Sequence, residues 1–244
     1  MTRIYIDAEL TVNSTLDLPD DAAHHVARVL RMRTGETIST FNGQGGEYLA
    51  TLDQISKSSV TANITEFDPT DRESPLAITL AQGILRGDKM DFTIQKAVEL
   101  GVSHIAPITT QRGNVHLDEK RWTKKQAHWQ KTIISACEQC GRNRLPTLAP
   151  VENLQTWASH DQAALKLVLD PHSEHALSTQ FADAEAPQSV SFVIGPEGGL
   201  SPDEITQLKN LGFLGIRLGP RVFRTETAAL AVIAMLQTRF GDFA

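Results

Sequence analysis

Residues 1–70 alternate apolar and polar positions in short runs, a spacing that is typical of β-strands. Three such runs are expected to be strands: 37–41, 47–55 and 59–67. The glycine-rich segment 42–46 marks a turn between the first two of them. One stretch has helical spacing instead, because residues 22–32 follow two aspartates that can cap a helix, and Gly35 lies just past its end. The pattern predicts a small barrel or bent sheet with one helix.

From residue 76 the pattern changes to alternating strands and helices. The predicted strands are 76–82, 104–109, 163–169, 189–194 and 214–218. The predicted helices are 88–100, 119–140, 173–181, 202–211 and 225–240. Such alternation predicts a parallel sheet with helices on its faces, in which ligands bind beyond the carboxyl ends of the strands. A polar segment with two prolines separates the halves, so we expect domains over 1–70 and 76–244 and a linker over 71–75.

The composition fits an ordinary globular protein, with 41% hydrophobic and 21% charged residues among 244. There is no apolar segment of a signal peptide at the N-terminus and no run of about 18 apolar residues, so no membrane span is expected. The two cysteines, Cys137 and Cys140, form no disulfide framework. They point to a reducing compartment, and therefore to the cytoplasm, and packing explains them better than zinc or redox chemistry does.

The formal net charge of −6 is unevenly distributed along the chain. Residues 80–145 contain 11 Lys and Arg against 6 Asp and Glu, a net charge of +5, whereas 1–70 and 146–244 each carry −5. A positive segment of this kind suits a nucleic acid partner. A solvated helix face would give the same count, so charge alone leaves both interpretations open.

Two strand-to-helix loops carry the sequence's most specific chemistry. The first contains three glycines within five residues, in Gly195-Pro196-Glu197-Gly198-Gly199. One glycine would satisfy a tight turn, so three favour a loop whose backbone approaches a ligand closely. The loop matches neither a phosphate-binding P-loop nor the spaced glycines of dinucleotide folds. Ser201, Pro202 and Glu204 then predict a helix start with a capping box.

The second loop leads from a strand through Gly219-Pro220 to a helix that starts near Thr225. Glu226 falls in the first helical turn, where the helix dipole favours an anion. Residues 228–236 are nearly all small or apolar, so this helix must be buried on most sides. A subunit interface and a domain core both satisfy that requirement.

The two loops together resemble the paired cofactor motifs of the SPOUT class of RNA methyltransferases. More closely, the chain is similar to the ribosomal RNA small subunit methyltransferase E family along its whole length. Residues 24–31 resemble that family's N-terminal signature, and Lys89, 95–102 and 138–142 resemble its central motifs. The resemblance implies a C-terminal α/β SPOUT domain with a parallel sheet and a trefoil knot. It also implies an N-terminal PUA-like β-barrel that is used for RNA.

The implied activity is methylation of N3 of a uridine in 16S ribosomal RNA of the small (30S) subunit, with S-adenosyl-L-methionine as methyl donor. The family's target is uridine 1498. The resemblance further implies a homodimer, and no metal is expected. Candidates for holding the donor are Leu169, Ile194, Gly195, Pro196, Glu197, Gly198, Gly199, Leu214, Leu218, Gly219, Thr225, Thr227 and Ala228.

Arg224 is the first candidate for a catalytic side chain, because a guanidinium can stabilise a uracil anion or hold a phosphate. The alternative is a salt bridge to Glu226 or Glu197. Glu226 is the second candidate, since its carboxylate could oppose the positive charge of the donor. The alternative is that it merely begins a helix.

Basic side chains are expected to bind RNA phosphates. The candidates are His24, Arg28, Arg31, Arg33, Arg86, Lys89, Lys96, Arg112, Arg142 and Arg144. Surface helices with scattered charges are the alternative interpretation. Adjacent histidines on a helix point in different directions, so the His24-His25 pair does not predict a metal site. Two rival functions remain: a non-catalytic RNA-binding or ribosome-assembly protein, and a small-molecule methyltransferase or other nucleotide enzyme.

Overall fold

The computed structural model describes residues 1–56, 59–115, 118–181 and 185–243. The chain divides into two compact units, the first comprising residues 1–73 and 137–145 and the second 74–136 and 146–244. The packing of 137–145 with the first unit was not expected from the sequence. The domain limits at 71–75 stay a prediction.

The first unit is built on a five-stranded sheet with one short helix. Its elements are β1 (Arg3–Tyr5), β2 (Thr15–Asp17), α1 (Asp20–His24), a π-helical turn (His25–Val29), β3 (Thr37–Phe41), β4 (Glu47–Ile55) and β5 (Val60–Asp68). The strand order is β1-β3-β4-β5-β2, with β1 parallel to β3 and the other pairs antiparallel. Val60, Ala62 and Ile64 of β5 are buried at every second position, as the alternating pattern predicts.

The helix of the first unit is shorter than its sequence pattern indicates. It was expected over 22–32, but α1 begins at Asp20 and the π-helical turn that continues it ends at Val29. Arg31 has a φ of 53°, a left-handed conformation that a right-handed helix cannot contain. The two aspartates lie inside the first turn, and Pro19 occupies the cap position without a side-chain hydrogen bond.

The second unit is a parallel sheet with helices, as predicted. Its elements are β6 (Ala77–Gly83), α2 (Lys89–Glu99), β7 (His104–Thr109), α3 (Glu119–Cys140, whose last residues belong to the first unit), β8 (Thr147–Leu148), β9 (Glu152–Asn153), α4 (Leu154–His160), β10 (Leu165–Leu169), α5 (Leu177–Gln180), β11 (Ser189–Ile194), α6 (Pro202–Asn210), β12 (Leu214–Ile216) and α7 (Thr225–Phe240). The strand order is β12-β10-β11-β6-β7-β8, with β9 also on β7, and every pair is parallel.

Helix α4 was not predicted, and of the helix expected over 173–181 only Leu177–Gln180 is helical. The preceding residues form a turn that side chains hold in place. The Asp170 carboxylate accepts a hydrogen bond from the His172 amide at 3.0 Å, and the Ser173 hydroxyl donates to the Gly215 carbonyl at 2.6 Å. These bonds compete with helical ones, as short polar side chains commonly do.

Helix α7 packs one face into the core of the second unit, against α2. Its buried residues include Val232, Ile233 and the fully buried Gln237. The Gln237 amide accepts a hydrogen bond from the Ser74 hydroxyl at 2.7 Å and donates to the Leu100 carbonyl at 3.0 Å. Of the two alternatives for this helix, burial in the domain core therefore explains why this face is apolar. Among the described residues, no helix is long and apolar enough to cross a membrane.

Candidate active site

A cavity of about 480 Å³ opens at the carboxyl ends of β10 and β11 in the second unit. Three loops form most of its wall: the loop after β10, the loop after β11 and the loop that leads into α7. Ligands of parallel α/β sheets bind at this edge because the loops from strands into helices converge there. The fold therefore brings both glycine-containing loops into one pocket, as the sequence predicts.

The cavity brings together some of the predicted site residues, whose roles stay a prediction. The predicted residues that line the cavity are Lys89, Arg112, Leu169, Ile194, Gly195, Pro196, Glu197, Gly199, Arg224, Thr225, Glu226 and Ala228. The predicted donor-holding residues outside the lining are Gly198, Leu214, Leu218, Gly219 and Thr227. Those that sequence reasoning missed are Asp170, Pro171, His172, Leu200, Ile205, Val222 and Phe223. A third strand end at the same edge, after Leu169, was the only available signal for the first three.

The loop after β11 folds back on itself so tightly that glycine is required at Gly195. A Cβ atom there would lie 2.8 Å from the carbonyl carbon of Gly199 and 2.9 Å from the amide nitrogen of Leu200. The Gly199 amide donates to the Pro196 carbonyl at 2.8 Å, and Gly199 has a φ of +69°. The backbone itself therefore forms this wall of the cavity.

The helix start after the loop forms the capping box predicted from the sequence. The Ser201 hydroxyl accepts from the Glu204 amide at 3.1 Å, and the Glu204 carboxylate accepts from the Ser201 amide at 2.7 Å. The second oxygen of this buried carboxylate accepts from the Gln111 amide at 2.7 Å. Glu204 thus also fixes the loop that carries Arg112, whose guanidinium donates to the Gly198 carbonyl at 3.4 Å.

Glu197 links the loop of residues 195–199, the glycine loop, to residues before and at the start of α2. One of its oxygens accepts from the Arg86 amide at 3.2 Å and lies 3.5 Å from the Lys89 ammonium. Partial burial raises the pKa of Glu197, but hydrogen bonds from its own amide and from Arg86, together with the charge of Lys89, outweigh it and hold the pKa below its ordinary value. Glu197 is therefore ionised at neutral pH.

Arg224 occupies the cap position of α7, and its side chain is exposed at the cavity. Its carbonyl accepts the first helical hydrogen bond, from the Ala228 amide at 2.8 Å. Among the described residues no ion pair involves this guanidinium, so the structure does not support the alternative of a salt bridge to Glu226 or Glu197. The charge of Arg224 remains available to a ligand in the cavity.

Glu226 lines the cavity from the first turn of α7, and one of its carboxylate oxygens, Oε2, is buried without a hydrogen-bond partner in the described part of the chain. A buried acceptor left unpaired costs about 1–3 kcal/mol, more when charged. A ligand that is positively charged or donates hydrogen bonds would satisfy it. The cavity thus combines backbone walls with one orphaned negative group, a combination that fits a sulfonium compound such as S-adenosylmethionine.

Comparison with known proteins agrees with this geometry. Residues 72–237 match the family model of the RNA methyltransferase domain, and residues 18–65 match that of the RNA methyltransferase PUA domain. Ribosomal RNA small subunit methyltransferase E of Buchnera aphidicola (subsp. Schizaphis graminum) is 36% identical over 98% of this chain and 97% of its own. The Bacillus subtilis protein of that name is 32% identical over 97% and 96%. The chain belongs to the ribosomal RNA small subunit methyltransferase E family.

Solved structures extend the match to three dimensions. The crystal structure of a methyltransferase E from Neisseria gonorrhoeae, bound to S-adenosyl methionine, is 41% identical, covers 100% of both chains and has a TM-score of 0.92. Membership of the methyltransferase E family confirms the predicted fold class: a mixed α/β protein with a parallel sheet and an N-terminal PUA domain. The trefoil knot stays what the resemblance implies.

The predicted RNA-binding side chains of this family member occupy different settings. Those in the first unit's helix and the turn after it are exposed: His24, Arg28, Arg31 and Arg33. Val29 and Leu30 between them are also exposed, at 58% and 40%. Arg86 and Arg112 are exposed in the second unit, whereas Lys96 pairs with Glu99 at 2.7 Å and Arg144 with Asp71 at 3.1 Å.

Arg142 differs from expectation. Only 5% of this residue is exposed, and its guanidinium forms two hydrogen bonds with the carboxylate of Glu73. The Asn143 amide beside it donates to the Thr70 carbonyl at 2.9 Å, and the Arg3 guanidinium donates to the Arg142 carbonyl at 3.1 Å. A guanidinium that is buried and bonded to a carboxylate in this way is not accessible to an RNA phosphate. We therefore correct the prediction: Arg142 holds residues 137–145 in the first unit and is not carried into the proposed RNA contacts.

Proposed function

We propose that this protein transfers a methyl group from S-adenosylmethionine to N3 of a uridine in small-subunit ribosomal RNA, the family's position 1498. The coarser statement, that the chain belongs to the family of small-subunit ribosomal RNA methyltransferases, follows from the matches above. The observation that carries the proposal is the cavity formed by the two glycine-containing loops, with the unpartnered oxygen of Glu226 inside it. The relative from Neisseria gonorrhoeae, which is bound to S-adenosyl methionine, supports the choice of donor.

In this proposal the chain contributes alignment and electrostatics. S-adenosylmethionine supplies an electrophilic methyl group on a positively charged sulfur. The loop 195–199 holds the donor chiefly through backbone groups, and Glu226 opposes its charge. Fixing two reactants in a productive orientation can supply about 7–11 kcal/mol of the barrier. Arg224, which forms no ion pair within the described residues, stabilises the negative charge that spreads onto the uracil oxygens as the N3 proton passes to solvent water. N3 then bonds the methyl group as its bond to the sulfur breaks.

We propose that RNA is held by phosphate contacts from both units. In the first unit these come from the exposed segment with His24, Arg28, Arg31 and Arg33. In the second unit Lys89 and Arg112 line the donor cavity, and the exposed Arg86 bonds Glu197 of that cavity through its backbone amide. Such binding weakens steeply as salt rises, because each neutralised phosphate releases a counterion. Lys89, Lys96 and Arg144 are weaker candidates, since each is paired with a carboxylate.

We further propose that the protein works as a homodimer in the cytoplasm, where its ribosomal substrate lies. The face of α7 opposite the core contributes to an apolar cavity of about 380 Å³ with Phe181, Met235 and Phe240. A second copy of the chain would cover it. Sedimentation equilibrium tests this part separately, and a monomer at micromolar concentration would refute it.

The proposed activity is tested with 30S subunits from cells that lack the modification. The subunits are incubated with the protein and isotopically labelled S-adenosylmethionine, and their nucleosides are analysed by mass spectrometry. The expected product is N3-methyluridine in 16S RNA. RNA binding without affinity for the donor would instead support a non-catalytic assembly protein, and methylation of small molecules but not of RNA would support the remaining rival.

A further inference from the structure

Gln82 is a polar side chain, fully buried in the centre of the parallel sheet, to which the proposed function gives no role. It is the last residue but one of β6 and lies opposite Ile194 of β11 in the register of the sheet. Buried amides are usually hydrogen-bonded, and here the nitrogen has two partners while Oε1 has none among the described residues. The partners of the nitrogen therefore indicate what the side chain does. Both of its partners lie at the donor cavity's edge of the sheet.

The Gln82 amide begins a chain of hydrogen bonds that ends at the glycine loop. Its nitrogen donates to the Gly83 carbonyl at 2.9 Å and to the Thr225 hydroxyl at 3.2 Å. The Thr225 hydroxyl in turn donates to the Gly195 carbonyl at 2.6 Å. The chain therefore joins three elements: the end of β6, the start of α7 and the first residue of the loop after β11.

Chemistry fixes the direction of this chain. The Gly83 carbonyl can only accept, so the amide group that faces it must be the NH₂ and not the oxygen. The Thr225 hydroxyl must then accept from Gln82, and its single proton is left for the Gly195 carbonyl. Thr225 lines the cavity, but its proton is committed and cannot be donated to a ligand.

Close packing reinforces the same junction. A Cβ atom on Gly83 would lie 2.5 Å from the amide nitrogen of Pro196, so the end of β6 directly abuts the glycine loop. The loop is thus held by a backbone contact on one side and by the Thr225 hydroxyl on the other.

We propose that Gln82 is a positioning residue which, acting through Thr225, fixes the glycine loop against the start of α7 and so sets the shape of the methyl-donor site. The effect of Gln82 on methyl transfer rests on the proposed function. The positioning of the glycine loop by Gln82 does not depend on that function. Gln82 and Thr225 act as one unit, so the loss of either should have the effect of losing both.

The test uses near-isosteric variants. Gln82→Leu removes the side-chain amide that bonds Thr225, Thr225→Val removes the hydroxyl, and Thr225→Ser keeps the hydroxyl. Ser191→Ala is the matched control, because Ser191 is also fully buried in β11 but bonds Asp161, at 2.6 Å, instead of the cavity loops. Thermal unfolding of each variant verifies that it is folded.

Two measurements follow. The dissociation constant of S-adenosylmethionine, from calorimetry, should rise about five- to tenfold in Gln82→Leu and in Thr225→Val, as expected for the loss of one hydrogen bond. The double variant should lose no more than either single one. Ser191→Ala should stay within about twofold of the wild type, and Thr225→Ser, which keeps the hydroxyl, should recover most of the affinity that Thr225→Val loses. Hydrogen exchange of the unliganded protein should show faster exchange at the Gly199 amide in the first two variants only.

The inference is overturned if Gln82→Leu binds the donor as the wild type does, if the two losses add, or if Ser191→Ala loses as much affinity. A wild-type chain that binds no S-adenosylmethionine would refute the proposed function instead. The exchange rate at Gly199 would then still decide whether Gln82 positions the loop, because that measurement requires no donor.

Discussion

Replacing Gly195 by alanine tests whether the glycine loop bounds the donor site. The added Cβ would approach Gly199 and Leu200 to 2.8 and 2.9 Å, well inside the separation of about 3.5–4.0 Å at which carbon atoms attract. Both neighbours are backbone, so the loop itself must open by roughly 0.6 Å or more to relieve the contact. Overpacking of this kind costs about 1–3 kcal/mol.

This movement should weaken the binding of S-adenosylmethionine, because the displaced atoms form the wall of the cavity. If most of the steric cost appears in binding, the dissociation constant of S-adenosylmethionine rises about ten- to a hundredfold, at about 1.4 kcal/mol per factor of ten. The part of the cost that remains in the unliganded protein should instead lower its melting temperature, by about 2–4 °C per kcal/mol for a chain of this size. Isothermal titration calorimetry and thermal unfolding measure the two effects.

Gly212→Ala is the control for this experiment. Gly212 has a φ of +88°, an added Cβ would meet nothing within 4 Å, and the residue lies outside the cavity. Its left-handed backbone should cost about 1–2 kcal/mol of stability and leave donor binding unchanged. Wild-type donor affinity in a folded Gly195→Ala protein would refute the reasoning that this turn shapes the site.

Four further predictions concern charged groups. Glu226→Gln should weaken donor binding by about tenfold while leaving the melting temperature equal or higher, since an orphaned buried carboxylate oxygen is removed; a lower melting temperature with intact binding would contradict its assignment. Arg224→Ala should reduce turnover on 30S subunits by about a hundredfold or more with the donor dissociation constant within about twofold, and unchanged turnover would end its catalytic role. Arg142→Ala should destabilise the protein by about 3–5 kcal/mol, because a buried charge loses its partner. Arg28→Ala should leave stability unchanged and reduce the slope of the logarithm of RNA affinity against the logarithm of salt concentration by about 1, the value for one phosphate contact. The reverse outcome would restore Arg142 as an RNA contact. The pKa of Glu197 is lower in the folded protein than in the unfolded chain. The stability that its ionised carboxylate contributes is therefore complete above the unfolded-state pKa and is lost as pH falls through the folded-state pKa. The difference in unfolding free energy between the wild type and Glu197→Gln should vanish in acid and persist at pH 7.

Local chemistry made part of this molecule predictable. Ser201 and Glu204 are three residues apart, so the capping box is visible in the sequence and is present in the structure. The glycines of 195–199 could be read as a ligand loop for a similar reason. A Cβ atom at Gly195 would meet Gly199 and Leu200 of the same loop, so its demand on space is local, whereas one at Gly198 would meet the distant Arg112.

Contacts between distant residues were not predictable in this way. Glu73 is 69 residues from Arg142, and nothing in the pattern of either segment shows that they pair. The cavity residues after Leu169 were missed because only the strand order, which puts β10 beside β11, brings them to the site. Strands of two residues, such as β8 and β9, are too short to display a period.

The hydrogen bond between Gln82 and Thr225 joins residues 143 positions apart, and this has a consequence for biogenesis. A growing chain emerges in sequence order, so β6 and the glycine loop are made before the helix that completes their pocket. Until α7 has left the ribosome and docked, the nascent polypeptide lacks one wall of its donor site. We therefore expect ribosome-bound chains that stop before Thr225 to be unable to capture S-adenosylmethionine, so that the catalyst acquires its co-substrate only as one of the last events of its own folding.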